Sequence, residues 1–198
     1  MTEPIRIANC SGFYGDRVAA ARLDDFFRTD DGSWAVTPTP DGYDPTNEPG
    51  IHIPWLYNAL GRPWKTQETV RTYMDLVYGT GPTGLPGNDD LGTMSAWYVW
   101  GALGMYPQTP SRGEMLLSSP TFRTAWIKRA GGPTTKVTAP GASARSVYVR
   151  GAELDGRTWN RSWVPASLLN RGGTLEIRVG AKPNKAWGSS AQEVPQDR

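Results

Sequence analysis

Apolar residues recur at helical spacing through the first half of this chain and alternate through the second, with the change near residue 110. Ala19, Ala20, Leu23, Phe26 and Phe27 predict a first helix that ends near Thr29, where Asp31-Gly32 turns the chain. Residues 35–45 contain Pro38, Pro40, Gly42 and Pro45 and predict a loop. A second helix is expected from about Gly50 to Leu60, stopped at Gly61. Pro63 suits the first turn of a third helix, whose buried face is marked by Val70, Tyr73, Met74 and Val77. Residues 79–87 carry Gly79, Gly81, Gly84, Gly87, Pro82 and Pro86 and predict a second long loop. A fourth helix follows with Met94, Trp97, Tyr98 and Gly101 on one face, ended by Gly104 and Pro107.

From Met115 onward the runs are short and extended. Leu175, Ile177 and Val179 alternate with Glu176 and Arg178, the period of a half-buried strand. Val147 and Val149 alternate with Tyr148 and Arg150. Asp155-Gly156 is a hairpin signal, because both positions tolerate a positive φ. The tail after Trp187 is polar and is expected to fray. The fold class this predicts is α+β: helical hairpins to about residue 109, then a β-rich module from 110 to 188 and a tail from 189 to 198. No internal repeat or low-complexity segment is present.

Composition narrows the function. The chain has 198 residues, 38% hydrophobic and 20% charged, with net charge +2. Acidic and basic residues are mixed and no basic run occurs, which argues against nucleic acid as a partner. The single Cys10 excludes an internal disulfide and a cysteine-built metal site. The single His52 excludes a histidine-rich zinc site. No stretch approaches the roughly 18 apolar residues of a membrane span. The first residues, Met-Thr-Glu-Pro-Ile-Arg, contain no apolar export segment. The 23 Gly and 17 Pro predict a loop-rich surface. Nine Trp are a surplus; flat apolar faces stack on sugar rings, although burial in a core is the commoner role of a tryptophan.

The two loops carry dense polar clusters, each just ahead of a predicted helix. The first reads Asp44-Pro45-Thr46-Asn47-Glu48-Pro49-Gly50-Ile51-His52 and the second Leu85-Pro86-Gly87-Asn88-Asp89-Asp90-Leu91-Gly92. Oxygen-rich loops suit a hard cation such as Ca²⁺, which takes six to eight oxygen ligands. They also suit glycoside hydrolysis, which typically needs two placed carboxyl groups. Plainer roles stand beside these. Asp89 or Asp90 can be a helix N-cap, Glu48 a solvated loop carboxylate, and His52 a satisfied core or surface histidine. Adjacent aspartates repel, and a cation or a proton relieves them if they are buried.

The run Asn47-Glu48-Pro49-Gly50-Ile51-His52-Ile53-Pro54-Trp55-Leu56-Tyr57-Asn58 resembles the NEPxxHxPxLYN block of glycoside hydrolase family 92. Gly61-Arg62-Pro63-Trp64-Lys65-Thr66-Gln67 is similar to that family too. Gly87 to Val99 resembles its GNDDxGxMSAWYV block, and Ala102-Leu103-Gly104-Met105-Tyr106-Pro107 continues the match. Ser118-Ser119-Pro120 and Trp187-Gly188 resemble the closing segment. The resemblance runs from about residue 18 to the end. It implies a calcium-dependent, inverting exo-α-mannosidase acting on α-mannosides of the N-glycan or mannan type. The implied architecture is an (α/α)6 barrel preceded by a β-sandwich domain and followed by closing strands, so residues 18–109 would be the C-terminal part of the barrel. The resemblance also implies a secreted or periplasmic location. Aligned on its glycines, it makes Asp90 the general base and Asp89 its support. Asn47 and Glu48 become the calcium ligands, and His52 and Asn88 the contacts to the terminal mannose.

Two departures accompany the match. The family's general acid is a Glu in a block resembling EGNAWQY, upstream of the NEP block, and no such block occurs here. The chain is therefore expected to be a C-terminal fragment, inactive alone, whose partner is the missing N-terminal domain of the same enzyme. A non-catalytic carbohydrate- or calcium-binding module, or a remnant that does not fold stably, is the alternative. Residues 1–17, including Ile5-Arg6-Ile7-Ala8-Asn9-Cys10-Ser11-Gly12-Phe13-Tyr14-Gly15-Asp16-Arg17, look foreign to the mannosidases and resemble the opening of the acyclic terpene utilisation family, which assigns them no function.

Overall fold

A computed structural model describes residues 15–109 and 111–195. Most of the segment read as foreign to the mannosidases lies outside the described residues. The first helix, α1 (Asp16–Phe26), buries Ala19, Ala20 and Leu23. The turn after it is fastened by Asp31, whose carboxylate accepts hydrogen bonds from the Ser33 amide and from the Thr29 and Ser33 hydroxyls. These bonds hold its pKa down at about 2.

The second expected helix is broken. Residues 48–60 form 3-10 turns at Glu48–Gly50 and Ile53–Trp55 and a single helical turn, α2 (Leu56–Ala59). Pro54 has no N–H to give the Gly50 carbonyl, and its ring would press on that oxygen in a continuous helix. The broken segment still buries Ile53, Trp55, Tyr57 and Asn58. Gly61 stops it at φ 64°. Helix α3 (Pro63–Val77) starts on Pro63 and buries Val70, Tyr73 and Met74 as the periodicity predicts. Helix α4 (Thr93–Leu103) buries Met94, Trp97 and Gly101 and ends on Gly104 at φ 75°. Tyr98 lies at the margin of that face and is 37% exposed. Gly101 lets α4 approach α3: a Cβ there would sit 3.1 Å from the Met74 sulfur.

The helical layer closes around aromatic rings. Phe27, Tyr43 and Tyr73 meet edge to face or tilted at 4.7–5.8 Å, and Trp55 stacks on Tyr106 at 5.0 Å. Burial pushes the Tyr106 hydroxyl up to about 12. Of the tryptophans, Trp55, Trp97 and Trp187 are core, while Trp126 is exposed.

The β half forms two sheets. One has the order β1 (Met105–Tyr106), β2 (Glu114–Leu117), β7 (Trp163–Pro165), all antiparallel. The other has the order β3 (Thr124–Ile127), β4 (Thr135–Thr138), β8 (Gly173–Gly180), β5 (Tyr148–Leu154), β6 (Arg157–Trp159), with β4 and β8 parallel. A short helix, α5 (Ser167–Arg171), links β7 to β8. Met105, Met115, Leu117 and Val164 of the first sheet share a core with Val137, Val149, Leu154, Leu175 and Ile177 of the second. Two inner faces packed in this way make a sandwich. Asp155 and Gly156, at φ 50° and 76°, close the β5–β6 hairpin in the left-handed region that such turns require. The tail is docked as far as residue 195 rather than frayed. The Ser162 amide donates to the Glu193 carbonyl at 2.9 Å and the Trp163 indole to the Val194 carbonyl at 3.1 Å. The molecule is α+β, with helices first and strands after.

Three buried polar side chains tie the halves together. Asn58 donates to the Leu117 and Ser162 carbonyls at 3.0 and 2.8 Å. Gln67 accepts from the Val149 amide at 2.9 Å, and Arg71 donates to the Pro120 carbonyl at 3.2 Å. Backbone at a layer junction that no strand partner reaches must find side-chain partners or remain unsatisfied.

Candidate active site on two touching loops

The two polar loops meet. Gly87, at φ 65°, lies so close to the first loop that a Cβ there would stand 2.2 Å from the Thr46 carbonyl oxygen. Thr46 is held in turn by Asp44, whose carboxylate accepts from its amide at 2.8 Å and its hydroxyl at 2.6 Å. Behind the loops, the Trp97 indole on α4 donates to the Ile51 carbonyl at 2.8 Å. Tyr78 stacks on Trp97 at 5.5 Å and donates to the Met94 carbonyl at 3.2 Å. Burial pushes the Tyr78 hydroxyl far above its ordinary pKa, with the nearby Asp89 charge adding to the shift.

In the first loop, Asn47 is extended and exposed just ahead of the 3-10 turn that begins with Glu48. Glu48 is half-buried, and its Oε1 is enclosed with no hydrogen-bond partner among the described residues. An unmatched buried acceptor costs about 1–3 kcal/mol, more if charged, so this oxygen calls for a donor or a cation. His52 is half-buried, and burial lowers its pKa. It is therefore neutral at neutral pH, able to donate at one ring nitrogen and accept at the other.

In the second loop, Asn88 is exposed. Asp89 takes a left-handed conformation at φ 52°, ψ 40°. Its two carboxylate oxygens accept from the Ser95 amide at 2.7 Å and the Ser95 hydroxyl at 2.6 Å. Those bonds hold its pKa below the ordinary carboxylate value. Asp89 thus does for the third residue of α4 what an N-cap does. Asp90 is exposed, and its carboxyl makes no hydrogen bond among the described residues. Its carbonyl accepts from the Thr93 hydroxyl at 2.6 Å. Leu91 is left-handed too, at φ 53°, with a side chain wholly in solvent. A non-glycine residue held in this region costs on the order of 1–3 kcal/mol and marks a turn its surroundings over-determine.

A cleft of about 780 Å³ lies against α1 and is lined by Arg22, Arg28, Asp30 and Asp41. A second, about 300 Å³, is lined by Asp24, Tyr57, Lys65 and Glu68. Size does not locate chemistry here, because neither cleft contains Asn47, Glu48, His52, Asn88, Asp89 or Asp90. Among the described residues, no three acidic, histidine or cysteine side chains gather as a metal site. A cation on Glu48 therefore draws on amide and carbonyl oxygens, water or ligands beyond the described residues. Sequence reasoning did not single out Ser95 and Tyr78. Ser95 stands six residues from its carboxylate partner, outside any capping spacing, and Tyr78 falls between the third helix's apolar face and the loop that begins at Gly79.

The glycosyl hydrolase family 92 catalytic domain model matches residues 7–181. This chain belongs to glycosyl hydrolase family 92. The family match begins at residue 7, so residues 7–17, which the sequence blocks left as foreign to the mannosidases, fall within it. The chain is 32% identical over 155 residues to an uncharacterized secreted glycosidase of Arthroderma benhamiae, spanning 75% of this chain and 20% of that protein. It is similar to the family GH92 α-mannosidase BT3965 of Bacteroides thetaiotaomicron, with 33% identity and a TM-score of 0.83 over 92% of this chain and 24% of that one. BT3965 has also been solved in complex with mannoimidazole. The family GH92 inverting mannosidase BT2199 of the same organism matches at 29% identity and a TM-score of 0.81, over 96% of this chain and 28% of that one. The chain thus spans about a fifth to somewhat over a quarter of the length of these relatives.

Proposed function

We propose that this chain is the base-bearing part of a calcium-dependent, inverting exo-α-mannosidase. The observation that carries the reading is Asp90: an exposed carboxylate, free of hydrogen bonds among the described residues, on a tightly fastened turn against the loop that holds the orphaned Glu48 oxygen. In an inverting glycosidase one carboxylate takes a proton from the attacking water while a carboxylic acid on the opposite side protonates the leaving oxygen. Asp90 fills the first role. His52, neutral, and Asn88 supply hydrogen bonds to hydroxyls of the terminal mannose. Asn47 and Glu48 hold the calcium ion, which when bound polarises sugar oxygens as a Lewis acid. The buried Oε1 of Glu48 fits that donor set. The acid, the rest of an (α/α)6 barrel and the partner domain belong to sequence beyond these residues, and the substrates are α-mannosides of N-glycan or mannan type. A secreted or periplasmic location accompanies this reading, supported by the name of the Arthroderma relative.

The test is Asp90→Asn in the complete enzyme carrying this segment. The amide keeps the shape and cannot accept the proton, so turnover of an aryl α-mannoside falls about 10²- to 10⁴-fold while mannose still binds. Near-native turnover would sink the assignment. The orphaned Glu48 oxygen also favours a second reading, a calcium-binding module without catalysis. Calcium titration separates the two: the module binds calcium as the isolated chain, whereas the enzyme needs the remaining ligands first.

A further inference from the structure

Asp89 and Leu91 stand in left-handed conformations on either side of Asp90, and neither is glycine. Two such residues in one short turn persist only where neighbouring contacts hold them. Leu91 supplies none, since its side chain is wholly exposed. The contacts come from the first turn of α4. One residue, Ser95, grips both oxygens of the Asp89 carboxylate, with its amide at 2.7 Å and its hydroxyl at 2.6 Å. That fixes the rotation of the carboxylate as well as its place. Two further bonds close the turn around Asp90. The Gly92 amide donates to the Asp89 carbonyl at 2.8 Å, and the Thr93 hydroxyl to the Asp90 carbonyl at 2.6 Å. The Asp90 carboxyl takes part in none of these bonds and stays available. The helix turn is itself anchored to the core, through Tyr78 on the Met94 carbonyl and Trp97 on the Ile51 carbonyl.

We infer that Ser95 is a positioning residue for catalysis: through the Asp89 carboxylate it locks the strained turn from Asp89 to Gly92 and so aims the Asp90 carboxylate. The inference rests on the reading of Asp90 as base. On this inference Asp89 acts through the loop, each of its oxygens accepting a bond from Ser95. The bonds from Ser95 lower the pKa of Asp89 below the ordinary carboxylate value, so the ionised acceptor that the clamp needs is present at neutral pH.

Hydrogen exchange on the 198-residue chain tests the clamp. Ser95→Ala is expected to speed exchange of the Gly92 and Thr93 amides about tenfold or more. The Val149 amide, held by Gln67 in the other half of the molecule, stays slow. Turnover by the complete enzyme carrying this segment tests the consequence. Ser95→Ala lowers kcat on an aryl α-mannoside about 10- to 100-fold with KM unchanged, and Ser95→Thr, which keeps both donors, recovers most of it. Unchanged exchange overturns the clamp. Fast exchange with native kcat, or Ser95→Thr as poor as Ser95→Ala, overturns the positioning role. If Asp90→Asn keeps near-native turnover, the base reading fails instead, and the exchange result still stands as measured.

Discussion

Asn58 shows what one side chain can do at the scale of a residue. It is fully buried in the short helical turn α2, and its amide reaches two carbonyls of the β half. Asn58→Leu keeps the approximate volume and removes both bonds; the Leu117 carbonyl loses its side-chain donor, while the Ser162 carbonyl keeps the Leu117 amide at 2.8 Å. The expected cost is about 2–4 kcal/mol, read as a lower urea midpoint at unchanged slope. The motif N-E-P-x-x-H-x-P-x-L-Y-N ends on this asparagine, yet nothing in the spacing says that its role is to join two layers. Asp89 is the converse case. The sequence left capping open beside a role in catalysis, and the structure shows the cap, reached from a position no capping pattern includes. His52 was legible as a lone histidine on an apolar stretch; only its burial says that it is neutral.

At the scale of elements, the decisive contact is between loops. Gly87→Ala places a methyl carbon 2.2 Å from the Thr46 carbonyl at a positive φ, so the second loop must move away from the first. We expect this substitution to lose stability by about 1–3 kcal/mol. If the loops share one site, it also weakens calcium binding by the complete enzyme, which isothermal titration measures. Unaltered calcium affinity with reduced stability would separate the loops functionally. Helix α3 was legible from its apolar stripe and both helices from their stops, whereas α4 is apolar nearly all round, with Val99 exposed. The span from Gly50 to Leu60 has such a stripe too, and it is not one helix. Pro54 withholds a bond that the periodicity of side chains does not register. The β5–β6 hairpin was legible from Asp155-Gly156 alone, since two positive φ angles in a row leave few residue choices.

At the scale of the whole molecule, two hydrophobic cores are bridged by Asn58, Gln67 and Arg71. Those ties predict a single cooperative unfolding transition, with tryptophan fluorescence and far-UV circular dichroism changing together; separate midpoints would mean that the halves are independent. The helical layer also carries exposed apolar side chains: Leu76 on α3 at 58% and Val99 on α4 at 55%. The relatives are about four times longer than this chain, so a covering layer from elsewhere in the enzyme is consistent with such exposure. The isolated chain should therefore bind a hydrophobic dye such as ANS. It should show no α-mannosidase activity with or without calcium, because no residue here matches the family's acid block. Calcium-dependent release from an aryl α-mannoside, abolished by Asp90→Asn, would overturn that expectation.

The order of helices and strands, the α+β class, the hairpin and the family are all determined by the sequence itself, because each rests on local periodicity, turn chemistry or contiguous blocks of residues. Three things were decided only in three dimensions. The loops at residues 46 and 87 touch across 41 positions of chain. The tail from Ser190 to Pro195 is docked where its polarity predicted fraying, because backbone bonds to Ser162 and the Trp163 indole hold it regardless of side-chain character. Each oxygen of Asp89 accepts a bond from Ser95, whereas the Asp90 carboxyl accepts none among the described residues. The physical reason is common to all three: hydrogen bonds between backbone and side chains far apart in sequence leave no period and no composition behind, and only a folded chain brings their donors and acceptors within reach.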